Sequence, residues 1–230
     1  MRDAATGVSG QHIVERDDGR LETLEVSDYT QIFPEWSEVE RLAITHAKGK
    51  VLDIGSGAGR VALYLQARGH IVVGIDTAQG AVKACKMMGF KEAYVMSTSD
   101  LKFKEGTFDT VVMFGNNLGI AGNETLAMLR KLHRITTPEA IILAGSADAE
   151  NTDNEDHLKY HAMNRARNRP PGLVRIRVKY KEKISSWSDL WLVTPSELET
   201  LAKQNGWKIE EIYRTGKINQ PAYVAILSKR

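Results

Sequence analysis

The stretch Val51-Leu52-Asp53-Ile54-Gly55-Ser56-Gly57-Ala58-Gly59-Arg60 decides the reading of this chain. An apolar run of strand type enters a loop with glycine at 55, 57 and 59, and a helical pattern follows at once. A second apolar run, His70-Ile71-Val72-Val73-Gly74-Ile75, ends on Asp76, 21 positions after Gly55. Glycines this dense are costly to order unless something must approach the backbone closely. Strand, glycine loop, helix and an acid closing the next strand are the parts with which a βαβ unit holds a nucleoside-bearing cofactor. The glycines admit the ligand, the helix N-terminus faces its negative group, and the acid accepts from ribose hydroxyls.

The spacing narrows the choice of ligand. A dinucleotide fingerprint, Gly-x-Gly-x-x-Gly, requires glycine at 60, where this chain has arginine. A phosphate-binding P-loop requires a following Gly-Lys-Ser/Thr, which is missing. What remains is Asp-x-Gly-x-Gly-x-Gly over Asp53–Gly59. This resembles motif I of the class I S-adenosylmethionine (SAM)-dependent methyltransferases. The resemblance extends to Asp76, to Phe108-Asp109 opening a further strand, and to the order of elements from about 45 to 146.

The resemblance implies SAM as cofactor and S-adenosylhomocysteine as its product. It implies a site in which Asp53, Gly55, Ser56, Gly57, Gly59 and Arg60 form the glycine loop. The helix start at Ala58–Arg60 would face the methionine carboxylate, Asp53 would help take the ammonium, and Asp76 beside Thr77 would hold the ribose diol. The loop after the third strand, Ser97–Phe103, would receive the adenine through Thr98, Ser99, Asp100 or Leu101. Many relatives carry an acid at the position of Ser97, so which residue contacts the adenine stays open. Phe114 and Asn116, at the end of the fourth strand, would border the transferable methyl.

The wider sequence sets limits. At 230 residues with 42% apolar content the chain is one large domain, or one domain with an insertion. A net charge of +2 gives no global field for nucleic acid, and the single cysteine, Cys85, excludes an intramolecular disulfide and a cysteine-based zinc cluster. The polar N-terminus lacks the apolar core of a leader and no run approaches a membrane span, so a cytoplasmic monomer or homodimer is expected.

Periodicity predicts an α/β, Rossmann-like sheet of seven strands, mostly parallel, with helices on both faces, an antiparallel last strand and an α+β insertion after the fifth strand. Strands are expected at 50–54, 71–75, 92–96, 108–114 and 139–145, and helices at 58–68, 78–88 and 122–134, after a helix near 35–47. Pro138-Glu139 reads as the turn into the fifth strand, and residues 1–20 carry no clear pattern, which predicts a mobile segment. The chain thus divides into an N-terminal segment and lid helix (1–48), a SAM-binding core (49–146), an inserted substrate-side cover (147–193), and a C-terminal helix and strands completing the sheet (194–230). The cover opens with five acids over 147–156 and continues with nine bases and one acid over 157–183. It reads as a helix at 154–167 and strands at 173–180 and 184–193. Thr194-Pro195-Ser196-Glu197 is a capped helix start, and strands at 207–214 and 221–228 finish the chain.

Residues for the acceptor side are fewer. Asn116-Asn117 can orient a polar acceptor or cap a turn, and Asn117 is a catalytic candidate. The tetrad Gly115-Asn116-Asn117-Leu118 lacks the Asn/Asp-Pro-Pro-Tyr of many amino-methyltransferases, which argues against a nucleobase or glutamine-amide acceptor. His157 and His161 share one helix face with Tyr160 between them; no third ligand is evident, so the three read as substrate or lid residues on a polar lid helix with no metal assigned, and His161 is a candidate base. Tyr29, Phe33 and Trp36 are lid candidates. Arg175, Arg177, Lys179 and Lys181 line one strand face, which reads as a solvated edge or a surface for an anionic substrate. A small-molecule acceptor is the first choice. A protein or RNA methyltransferase and a SAM-binding regulator without turnover are the alternatives.

Overall fold

The computed structural model describes residues 2–7, 9–216, 218–219 and 221–230. After one helical turn, α1 (Arg2–Ala5), the chain forms a hairpin of β1 (Gln11–Arg16) and β2 (Leu21–Glu25), whose turn places Gly19 at φ 89°. The sequence reading of 1–20 as mobile is therefore corrected at β1; positions 1 and 8 lie outside the described residues. α2 (Glu38–Ala43) starts at Ser37, whose hydroxyl accepts from the Glu40 N–H, and passes into a 3-10 turn at Ile44–His46, shorter than the periodicity predicted.

The expected alternation follows as β3 (Lys50–Ile54), α3 (Arg60–Gln66), β4 (Ile71–Asp76), α4 (Gln79–Met87), β5 (Ala93–Val95), β6 (Phe108–Met113), α5 (Thr125–Ile135) and β7 (Thr136–Ala147). β7 begins earlier than expected. Its register against β6 steps from Phe108–Thr136 to Thr110–Ile141, so Pro138, which has no N–H to donate, sits in a bulge inside the strand. Beyond it come α6 (Glu155–Ala166), β8 (Leu173–Tyr180), β9 (Lys183–Ile184), β10 (Ser188–Trp191), α7 (Pro195–Gln204), β11 (Trp207–Arg214) and β12 (Ala222–Lys229). The single strand expected over 184–193 is split into β9 and β10. α7 opens with the predicted capping box: Thr194 accepts from the Glu197 N–H while the Glu197 carboxylate accepts from the Thr194 N–H.

The main sheet has seven strands in the order β11-β12-β7-β6-β3-β4-β5. The run from β7 to β5 is parallel, and β12 is antiparallel to both neighbours. β3 is covered on both faces. Val51 packs with Trp36, Val39, Val61 and Val82 on the side of α2, α3 and α4; Leu52 packs with Leu129, Leu132 and Leu198 on the side of α5 and α7. This is the Rossmann-like α/β architecture. Asp109, at the amino end of β6, accepts from the Lys50 N–H at 2.8 Å and the Thr137 hydroxyl at 3.0 Å, so it staples three strands at the edge opposite the strands' carboxyl ends.

A second, five-stranded sheet runs β10-β8-β1-β2, with β9 attached to β8. The N-terminal hairpin and the insertion after β7 thus share one sheet. β8 lies in its interior, between β10 and β1, so its basic residues guard no edge. Arg177 and Lys179 both pair with Glu15, holding its carboxyl down at about 2, Lys181 just past the strand pairs with Asp3 at 2.6 Å, and Arg175 is exposed.

Candidate functional site

Open α/β sheets take ligands beyond the carboxyl ends of their strands, where the order of connections reverses. Here that edge brings together Asp53 at the end of β3, Asp76 at the end of β4 and the turn after β6. Two adjoining hollows share Gly55, Asp76 and Ile120 and form one trough. One half lies between Asp76-Thr77 and Met96–Ser99, with α5 contributing Met128 and Lys131. The other runs over Asp53, Gly55–Ala58, Arg60 and Phe114 and is roofed by His12, Leu24 and Tyr29.

Asp53 is 3% exposed, and its Oδ2 has no hydrogen-bond partner among the described residues. Burial pushes its carboxyl up to about 7, against the pull of Arg60 and with some help from Asp76. Arg60 is itself held by the protein: it forks onto Glu40 at 2.7 and 3.2 Å and stacks over Trp36 at 4.8 Å. A buried acceptor left without a donor costs about 1–3 kcal/mol, so a cationic donor at this end of the trough has a place prepared.

Asp76 is tied to the loop. Gly57 N–H donates to Oδ2 at 3.1 Å and Ala78 N–H donates to Oδ1 at 2.8 Å. A carboxylate has about four acceptor sites, so capacity remains for a vicinal diol. Burial raises its pKa while these backbone donors oppose the rise.

The glycines divide their labour. At Gly55, with φ 69°, a Cβ would run into the Asn117 side chain. At Gly59, with φ 90°, it would meet Cys85 Sγ at 3.1 Å, so this glycine serves the packing of α3 against α4 rather than the trough. The helix starts at Arg60, two positions later than expected, because Gly59 is its left-handed cap. Asn117 donates Nδ2 to the carbonyls of Ile54 at 2.8 Å and Gly55 at 3.2 Å, so its amide nitrogen clamps the glycine loop. Ser56 is buried against β4, its hydroxyl donating to Ile75 O.

In the loop after β5, Ser97, Thr98 and Ser99 line the trough, and Lys131 donates to Ser99 O at 2.6 Å. Asp100 and Leu101 do not reach it. Leu101 anchors the loop in the core at 7% exposure, and Asp100 faces outward to pair with Lys102 at 3.3 Å.

A third hollow, of about 660 Å³, opens from the trough at Leu24 and Gly115 and lies beneath the second sheet. Asn116, His157 and His161 line this hollow and not the trough. His157 shares a hydrogen bond of 3.3 Å with Thr152, and burial lowers the pKa of both imidazoles, with neighbouring arginines adding to the effect. Tyr160 points away: its hydroxyl donates to Asp17 at 2.7 Å and Arg16 covers its ring at 4.2 Å, fastening α6 to the hairpin. Of the lid candidates only Tyr29 reaches the trough. Phe33 stacks on Tyr64 at 4.5 Å, and Trp36 is a core residue at 2% exposure. Among the described residues no group of three or more His, Cys, Asp or Glu is arranged to hold a metal ion.

The sequence reading passed over His12. It sits at 4% exposure on β1, beside Leu24 in the hairpin register, with its Nε2 3.1 Å from the Tyr29 hydroxyl. The signal that could have found it is the Asp18-Gly19 pair between two apolar runs, a hairpin turn signature.

Comparison with known proteins agrees with this geometry. Residues 52–144 match the family model described as a methyltransferase domain. A SAM-dependent methyltransferase from Bacteroides fragilis, solved in complex with S-adenosyl-L-homocysteine, superposes with a TM-score of 0.81 at 27% identity, covering 99% of this chain and 91% of that one. A Methanosarcina mazei SAM-dependent methyltransferase shares the fold with a TM-score of 0.63 at 21% identity, over 78% of this chain and 92% of that one. The Bacillus subtilis protein YqeM, provisionally named a methyltransferase, is 27% identical over 108 residues; the match spans 42% of this chain and 41% of that relative. Residues 52–144 carry the methyltransferase domain, and the strand order and the likeness over the whole chain to the Bacteroides fragilis enzyme are those of a class I SAM-dependent methyltransferase.

Proposed function

We propose that this enzyme transfers the methyl group of SAM to a small-molecule acceptor in the cytoplasm. When bound, SAM supplies a methyl activated by its sulfonium. The protein's own residues then bind, orient and exclude water. Asp53 takes the ammonium, Asp76 takes the ribose hydroxyls, and the Met96–Ser99 wall flanks the adenine. Asn117 fixes the glycine loop on which this geometry depends. Holding the acceptor in line with the carbon–sulfur bond could supply about 7–11 kcal/mol of barrier reduction.

One observation carries the choice of a small molecule: the space beyond the trough is a roofed hollow rather than an open platform. Arg177, Lys179 and Lys181, part of the basic run that suggested RNA or protein, are drawn into ion pairs with Glu15 and Asp3, which weakens the support for a macromolecular acceptor. Incubating the purified enzyme with methyl-tritiated SAM and fractionated cell extract tests this reading. Label is expected in metabolites; label in protein or RNA, or in nothing, contradicts it.

A further inference from the structure

The hollow beneath the second sheet has a chemistry that narrows the acceptor, and this inference rests on the methyltransferase reading of the neighbouring trough. Its volume of about 660 Å³ is that of a small-molecule site. One wall is aliphatic: Val14 from β1, Leu24 from β2, Val174 and Ile176 from β8, and Leu190 from β10. Val174 and Ile176 lie two apart on β8, so they share this face while Arg175 and Arg177 take the other.

The arginines that do border the hollow are already engaged. Arg16 forks onto Asp18 at 2.6 and 2.8 Å, donates to Asp156 O at 3.3 Å and covers Tyr160; Arg20 pairs with Asp156 at 3.5 Å. Their charge is offset by Asp18 and Asp156, and Glu22 and Asp148 add two carboxylates to the lining, so a phosphate or carboxylate entering here meets no surplus of positive charge. His161 also lines the hollow, 4% exposed, with the His157 ring 6.5 Å away and no hydrogen bond to its imidazole among the described residues. A neutral imidazole can donate from one nitrogen and accept at the other, which suits a hydroxyl.

We propose that this hollow takes an uncharged, largely apolar acceptor that carries a hydroxyl group, and that His161 is the specificity-determining residue that hydrogen-bonds this hydroxyl. The probes are 2-naphthol, 2-naphthoate and 2-naphthyl phosphate, titrated calorimetrically into the enzyme with and without saturating S-adenosylhomocysteine. 2-Naphthol is expected to bind at least tenfold more tightly than either anion. Ile176→Trp or Leu190→Trp, which fill the hollow from two different strands, should abolish that binding, and His161→Phe should weaken it about tenfold, one hydrogen bond's worth. S-adenosylhomocysteine should titrate as in the wild type in all three variants. Tighter binding of the phosphate or carboxylate, or naphthol binding indifferent to both tryptophans or to His161→Phe, overturns the proposal. Failure of S-adenosylhomocysteine to bind the wild type would instead strike the reading of the trough, and the naphthol series without it would still decide the chemistry of the hollow.

Discussion

With its carboxyl buried and pushed up to about 7, Asp53 is substantially protonated at neutral pH in the ligand-free protein. Its ordinary value is 3.8, so between about 4 and about 7 the folded state holds a proton that the unfolded state has lost. Stability contributed at this residue therefore falls as pH rises through that window, and the cost is fully present above it. A ligand ammonium favours the ionised carboxylate and reverses the cost. The rise in Tm produced by saturating S-adenosylhomocysteine should consequently be larger at pH 8 than at pH 6. Asp53→Asn should flatten this pH dependence and raise the Tm of the ligand-free protein at pH 8. A thermal-shift series that is equally steep in wild type and variant would remove Asp53 from the role. Asp53 and Asp76 were legible in the sequence because the glycine loop fixes their distance along the chain. Asp100 and Leu101 follow only from the place of their loop after the third strand and do not reach the trough, since a loop's inward and outward positions are set by what its apolar residue anchors on, here the core at Leu101.

Among the elements, the turn after β6 and the hairpin β1–β2 carry the most consequence. Asn117→Ala removes two hydrogen bonds to the backbone of the glycine loop and should destabilise the protein by about 1–2 kcal/mol in urea unfolding, at roughly 1 kcal/mol per bond. It should also weaken S-adenosylhomocysteine several-fold; unchanged affinity would show that the clamp does not shape the cofactor site. Glu15→Ala leaves Arg177 and Lys179 without their shared carboxylate. Amide hydrogen exchange should then quicken in β1 and β8 while β3 and β4 stay protected, and uniform protection would separate the roof's integrity from this pairing. The central parallel strands were readable because both their faces are largely buried and their runs are mostly apolar. The hairpin was not, because Gln11–Arg16 alternates only loosely and is ordered by β8, a partner far along the chain. That contact also explains why the basic face of β8 resembled an exposed edge: its counter-charges, Glu15 and Asp3, lie in the segment that showed no pattern.

On the scale of the molecule, the sheet whose strands end on the trough is covered by a second sheet built from both the N-terminal hairpin and the insertion, with the third hollow between them. In this arrangement Arg177 and Lys179 on the outer face of β8 are tied to Glu15 of the hairpin, and the proposed small-molecule acceptor needs no polyanion contact from them. Replacing Arg175, Arg177 and Lys179 together with alanine should lower the Tm yet leave S-adenosylhomocysteine affinity nearly unchanged. RNA should show no salt-sensitive binding that these substitutions remove; a steep loss of RNA affinity with added salt would mark true phosphate contacts. The central claim is that the trough between Asp53 and Asp76 is the SAM site, and calorimetric titration of S-adenosylhomocysteine into the wild type and Asp76→Ala tests it most directly. The prediction is one ligand per chain in the wild type and a loss of about 1.5–3 kcal/mol, roughly ten- to a hundredfold in affinity, in the variant. Wild-type affinity in a folded Asp76→Ala protein would contradict it.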